Sequence, residues 1–345
     1  MGASPLARIL FAVYVVLIAY ASLYPFEGWR DPGLSPFAFL AQGWPRQLLR
    51  FDVAVNVIAY APFGFLCVAA LQPRLRGGAA LAAATAAALL VSLILEALQS
   101  YLPARFASNL DVACNVAGAA FGAALAPALL ARLEGLRLRE RLFLAGRDTD
   151  FGLVLIGLWL FVQLNPATLL FGAGDLRPLL GSPAARGHAA EFFIRTEAFI
   201  AAANLVAVAL LLAALVAPGR PARAMLVALV AAALAVKAAA FGLMMQSESF
   251  AWLTPGAQAG LVAGLAVALG ALALPRTAGL VFAAVLVMAA TVLVNLAPPN
   301  PYLTATLKVW QQGHFLNFNG LTRLVAALWP FAALGYLIFL ASRRR

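Results

Sequence analysis

Charge is what this chain has least of. Of its 345 residues only 11% are charged and 64% are hydrophobic, with a mean hydropathy of +0.93. Soluble domains carry roughly 25% charged and about 45–50% apolar residues, so a water-soluble globule is excluded. Cysteine is nearly missing as well. Cys67 and Cys114 each sit inside an apolar run, which excludes a disulfide framework or a metal-ligand spacing and leaves them as small buried hydrophobes. The two histidines, His188 and His314, lack a ligand-spaced partner. P-loop, dinucleotide fingerprint, nucleophile elbow and HExxH patterns are all missing, and the basic loops are too short for an ATPase. No cofactor and no metal is expected. Alternating ten-residue strands are missing too, which excludes a barrel of the outer-membrane type.

What remains is a series of apolar windows of helical length. Ten spans are expected, over 7–23, 51–71, 79–99, 110–131, 151–171, 196–217, 223–245, 257–274, 277–297 and 321–341. The fold class is therefore all-α, a polytopic helical membrane protein with about ten transmembrane helices. Ala19-Tyr20-Ala21 mimics a signal-peptidase site. Tyr24, Pro25, Phe26 and Trp29 continue as an aromatic interface segment, which suits a retained helix.

Basic residues divide unevenly between alternate loops. One side takes Arg8, Arg74, Arg76, the arginines from 132 to 147, Arg220, Arg223, Arg276 and Arg343 to Arg345. Its only acids are Glu134, Glu140, Asp148 and Asp150. By the positive-inside rule that side is cytoplasmic, and an even span count places both termini there. The net charge of +11 then needs only topology and anionic headgroups, so membrane lipids are the expected partners and nucleic acid is not. The expected location is the inner (cytoplasmic) membrane. The basic stretch 132–150 separates a four-helix unit, 1–131, from a six-helix remainder, 151–345. Longer loops, 24–50, 172–195 and 298–320, fall on the other side.

Against this apolar background a few polar side chains stand out. Asp52 and Asn56 are four residues apart and share a helical face, and Asp111 and Asn115 repeat the spacing in a similar D-V-A-x-N-V context. Gly118 and Gly122 extend the second face as a small-xxx-small seam. On the intervening, oppositely directed helix, Ser92, Glu96 and Gln99 also share a face, and Arg105 lies just beyond it. A carboxylate at the centre of a membrane helix costs about 2.5–3.5 kcal/mol on insertion scales, so these groups call for internal partners or a function. Asp52 and Asp111 also read as helix N-caps neutralised by neighbouring arginines, and Glu96 with Arg105 as a structural ion pair. Taken together the stripes point to an acidic pocket under the outer surface.

These residues carry a resemblance. Tyr24-Pro25-Phe26, Asp52-x-x-x-Asn56 with Pro62 and Gly64, Ser92-x-x-x-Glu96-x-x-Gln99, Arg105, and Asp111-x-x-x-Asn115-x-x-Gly118 resemble the VanZ-like membrane proteins over about 8–131. The resemblance implies a cell-envelope context and a relation to low-level teicoplanin (glycopeptide) resistance; the family has no settled biochemical activity. The longer chain is similar to Gram-negative members with an appended membrane half.

Three functions stay open. In the first, a lipid-linked or peptide-bearing envelope molecule, such as a cell-wall or polysaccharide precursor, meets the pocket. Glu96, Asp111 and Asp52 are then the candidate catalytic or cation-binding carboxylates, and Arg105, Asn56, Asn115, Gln99 and Ser92 the contacts. In the second, a proton-coupled secondary transporter uses the carboxylates and the intramembrane Lys237, paired with Glu197 or Glu248, with Pro62-Phe63-Gly64 as the helix break. The third is a non-catalytic scaffold for envelope assembly. Lys237 also reads as snorkelling to the outer surface. The amide- and aromatic-rich loop holding His314 and Asn317 reads either as a cover for the pocket or as interface anchors. Whether the protein is an enzyme, and its oligomeric state, lie beyond the sequence.

Overall fold

A computed structural model describes residues 5–44, 50–181, 188–245, 249–300 and 316–343. The ten main helices are α1 (Pro5–Leu23), α2 (Arg50–Leu71), α3 (Gly77–Gln99), α4 (Asn109–Leu136), α5 (Arg147–Val162), α6 (Ala190–Leu215), α7 (Ala222–Met245), α8 (Pro255–Ala271), α9 (Arg276–Leu296) and α10 (Leu316–Ser342). Eight of them are long and apolar enough to cross a membrane, and the chain is an all-α, multi-pass membrane protein. The other two, α5 and α8, have 16 and 17 residues. At about 1.5 Å per residue they fall short of the roughly 30 Å hydrocarbon core. The chain divides into two compact units, Met1–Arg141 and Leu142–Arg345.

In the first unit α2 and α4 are the central pair. A Cβ added at Gly118 would collide with the carbonyl of Val57, one at Gly122 with that of Ala61, and one at Gly64 with that of Ala119. Backbone therefore lies against backbone, the close approach that small residues permit in membranes. Partner positions rise together along both helices, so α2 and α4 run parallel. α2 continues unbroken through Pro62, so the helix break expected at Pro62-Phe63-Gly64 does not occur. Gly64 instead serves the contact with α4. α1 closes the unit: Phe11 meets Phe63 edge-on, with centroids 5.1 Å apart, and the Tyr14 hydroxyl donates to the Ala59 carbonyl at 2.7 Å. Cys67 and Cys114 are free and buried, as their apolar surroundings suggest.

The second unit is built around α6, buried along most of its length. An apolar helix without a polar face belongs in a core. Gly256, Gly260 and Gly264 of α8 lie against it; a Cβ at Gly260 would come within 2.7 Å of the Ala198 carbonyl oxygen. α10 runs antiparallel to α5: Trp329 Nε1 donates to the Leu155 carbonyl and the Tyr336 hydroxyl to the Asp148 carbonyl.

One expected span is corrected here. The window 151–171 is helical only to Val162. Gln163, Leu164 and Asn165 then tighten into turns donating to Leu160, Phe161 and Val162, because a residue before proline, here Asn165, is disfavoured in the α region. The irregular backbone that follows is buried, with Leu170 and Phe171 almost fully enclosed. Side chains replace the lost helical partners: Phe171 N–H donates to Gln163 Oε1 at 3.1 Å and Ala167 N–H to Asn165 Oδ1 at 2.8 Å. Non-helical backbone at membrane depth persists only with such internal satisfaction.

Candidate functional site

The acidic group of the first unit forms where α3 ends and α2 and α4 begin. Asp52 and Asp111 stand in the first turns of their helices. Neither is the residue that precedes the helix. Ser108 holds that place before α4, and its hydroxyl accepts the Leu110 N–H at 3.2 Å, so the N-cap reading of Asp111 is replaced. Asp52 is exposed. Asp111 is half-buried, and its Oδ1 accepts the Asn56 amide at 2.9 Å, a bridge from α4 to α2.

Glu96 is buried at 4% exposure, and its Oε2 accepts the backbone N–H of Ser108 at 2.8 Å. That bond ties the end of α3 to the start of α4. One turn deeper, Asn115 Nδ2 donates to the Ser92 hydroxyl at 3.0 Å, again from α4 to α3. Asn115 Oδ1 is buried and has no partner among the described residues. An orphaned buried acceptor costs about 1–3 kcal/mol. Polar residues from three helices thus lie in two layers, with Glu96, Asp111 and Asn56 above Ser92 and Asn115.

Two residues of the expected set serve α1. Gln99 Nε2 donates to the Ser22 carbonyl at 2.8 Å. Arg105 Nε donates to the Tyr24 carbonyl at 3.1 Å and Nη2 to that of Ala21 at 2.9 Å. Arg105 therefore closes the carbonyl end of α1, the end where a cation is favoured. It is not ion-paired with Glu96: among the described residues the ion pairs are Arg177–Asp175, Arg195–Glu191 and Arg343–Asp148. Burial lowers the affinity of the Arg105 guanidinium for its proton, and the Glu96 carboxylate opposes that shift. An arginine stays charged regardless.

The second unit holds Lys237, fully buried. Its Nζ donates to the carbonyls of Asn165 and Thr168, each at 2.7 Å, and to the Thr168 hydroxyl at 3.1 Å, with the Phe241 ring centroid 5.7 Å away. The snorkelling reading is thereby overturned. The ammonium has found its partners inside, on the unwound stretch after α5, whose carbonyls α-helical bonding does not use. Asn165 Nδ2 in turn donates to the Thr322 hydroxyl of α10 at 2.9 Å. Glu197 makes no ion pair with Lys237; its Oε1 accepts the Thr254 hydroxyl at 2.7 Å. Glu248 and His314 lie outside the described residues. Asn317 is half-buried in the first turn of α10.

Ser108, Asn165, Thr168 and Thr322 were missed by reading the sequence. Asn165-Pro166 was the one available signal, a dipeptide that marks a turn hidden in a window whose hydropathy reads as helix.

The described residues include no group of three or more His, Cys, Asp or Glu side chains arranged to hold a metal. Neither a curated protein nor a solved structure shows significant similarity to the chain. A family model described as VanZ/LLP1 does match, over residues 9–131. That range covers α1 to α4 up to Ala131 and contains every member of the acidic group. The N-terminal part of this multi-pass membrane protein is thus a VanZ-like domain.

Proposed function

We propose that the VanZ-like domain binds the ammonium-bearing polar part of a lipid-linked or peptide-bearing cell-envelope molecule at the Glu96–Asp111 end of its helices. The protein would do so in the inner membrane, facing away from the basic, cytoplasmic loops. One observation carries this reading: carboxylates on α2, α3 and α4 share one end of the unit, a turn above a buried acceptor, Asn115 Oδ1, that has no partner among the described residues. Asp111 lies within electrostatic reach of both Glu96 and Asp52. Like charges held close repel unless a proton or a cation comes between them. A primary amine on an envelope peptide supplies such a cation together with three N–H donors. A relation to glycopeptide sensitivity follows on the same reading, because such antibiotics and this site would compete for envelope peptide.

The test is complementation of an envelope-stress or teicoplanin-sensitivity phenotype by Glu96→Gln and Asp111→Asn, with membrane insertion measured in parallel. Loss of complementation by properly inserted variants is expected. Normal complementation by both would end the acidic-site reading and favour a scaffold.

A second reading has one observation in its favour. The interrupted α5 and its bond to Lys237 fit the unwound helices at which secondary transporters bind their cargo. It expects Lys237→Met to abolish uptake driven by a proton gradient in vesicles.

A further inference from the structure

The second unit has a partly open cavity of about 260 Å³ between the unwound stretch after α5, the first turns of α6, the end of α9 and the start of α10. It lies at the end of the unit opposite the Asp148–Arg343 ion pair. Its walls combine apolar side chains, among them Phe193, Ile200 and Val294, with charged ones: Asp175, Arg177, Glu197 and Arg323.

Of the charged groups, three have obligations elsewhere. Asp175 grips Arg177 through two bonds, Nε to Oδ1 at 2.9 Å and Nη2 to Oδ2 at 2.6 Å. The remaining Nη1 donates to the Ala297 carbonyl at 3.0 Å. Arg177 thus fastens the wall to the end of α9 and has no fork left to offer a ligand. Glu197 is held by Thr254, and the Lys237 ammonium attracts its carboxylate. Arg323 lines the cavity, is exposed, and among the described residues donates no hydrogen bond and makes no ion pair. Asp175 and Arg177 thus cancel as an ion pair and Glu197 is bonded to the Thr254 hydroxyl, which leaves the Arg323 guanidinium as the cavity's cation without a bonded partner among the described residues.

A planar guanidinium with its fork free matches the two oxygens of a phosphate or carboxylate. The volume lies just below the roughly 300–1,000 Å³ of drug-sized ligand pockets, enough for a headgroup and too little for whole acyl chains. We propose that this cavity binds an oxyanion, a phosphate ester joined to a short apolar group, with Arg323 as its anion contact. The ester is either the headgroup of an anionic phospholipid or a free small phosphate. This site is independent of the one proposed in the N-terminal unit, and its test reads a residue of the other unit.

The experiment uses the full-length protein in neutral detergent. Binding of phosphatidylglycerol, phosphatidylcholine and glycerol 3-phosphate is followed by native mass spectrometry and thermal shift, for the native protein and for Arg323→Gln, Arg323→Lys and Arg343→Gln. Preference for phosphatidylglycerol over phosphatidylcholine, weakened at least tenfold in Arg323→Gln, supports a lipid headgroup. Stabilisation by glycerol 3-phosphate with the same dependence supports a free phosphate ester. Partial retention in Arg323→Lys and full retention in Arg343→Gln are expected in both cases. Arg323→Gln binding like the native protein, equal binding of the two lipids, or no binding of either anionic probe would overturn the proposal. Each variant's unliganded melting temperature separates a folding defect from a binding one.

Discussion

The two units face the same problem, polar groups enclosed by apolar helices, and solve it differently. In the first, side chains bond across helices that stay intact: Asn56 to Asp111, Asn115 to Ser92, and Glu96 to a backbone N–H at the start of α4. In the second, a helix is given up. Lys237 takes the carbonyls that unwinding after Val162 sets free. The difference follows from what each group requires. Amides, carboxyls and hydroxyls both donate and accept, or find a donor at a helix start, so they can satisfy one another. An ammonium donates three times and accepts nothing, so its partners must be acceptors, and an unwound stretch is the richest local source of them.

The comparison can be broken hardest at the α2–α4 seam. Gly122→Leu would drive a side chain into the Ala61 carbonyl. A cost of about 3 kcal/mol or more is expected, seen as loss of monodisperse protein after detergent extraction. If Gly122→Leu is as stable as the native protein, the backbone contact between these helices is wrong.

Lys237→Met comes next. It keeps much of the volume but strands the carbonyl of Thr168 and a share of that of Asn165. Destabilisation by about 2–3 kcal/mol is expected, measured by thermal unfolding. Glu96→Gln should cost less, about 1 kcal/mol or below, because an amide oxygen can still accept the Ser108 N–H. Should Glu96→Gln prove the more damaging to stability, the carboxylate has a structural task that the contrast between the units does not include. The smallest effect is expected from Arg343→Ala, just past the C-terminal end of α10. Its ion pair with Asp148 is half-exposed, and such pairs contribute about 0–1 kcal/mol. A melting temperature within about 2 °C of the native value is the expected result.

Much of the first unit was legible beforehand. Asp52, Asn56, Asp111 and Asn115 stand four residues apart in two similar segments, and that spacing alone puts each pair on one helical face. Gly118 and Gly122 announced a close seam, although Gly64 as its counterpart on α2 was not evident. The role of Arg105 was not legible, because the carbonyls of Ala21 and Tyr24 are backbone groups that leave no mark in side-chain identity. In the second unit Lys237 stood out by its charge. Its partners did not, for the same reason.

Composition and periodicity by themselves determined that this chain is a set of apolar helices in a membrane, because burial in hydrocarbon is a sum over residues and needs no knowledge of neighbours. They also determined where the helices run, apart from the stretch after Val162. Only the tertiary structure decided which polar groups meet, since a hydrogen bond depends on direction and on a second group remote in the chain. Asn165 and Thr322 are 157 residues apart, and only the packing of α5 against α10 brings them together. The same holds for the guanidinium of Arg323, which stands without a bonded partner among the described residues only because Asp175 has taken Arg177 and Thr254 has taken Glu197.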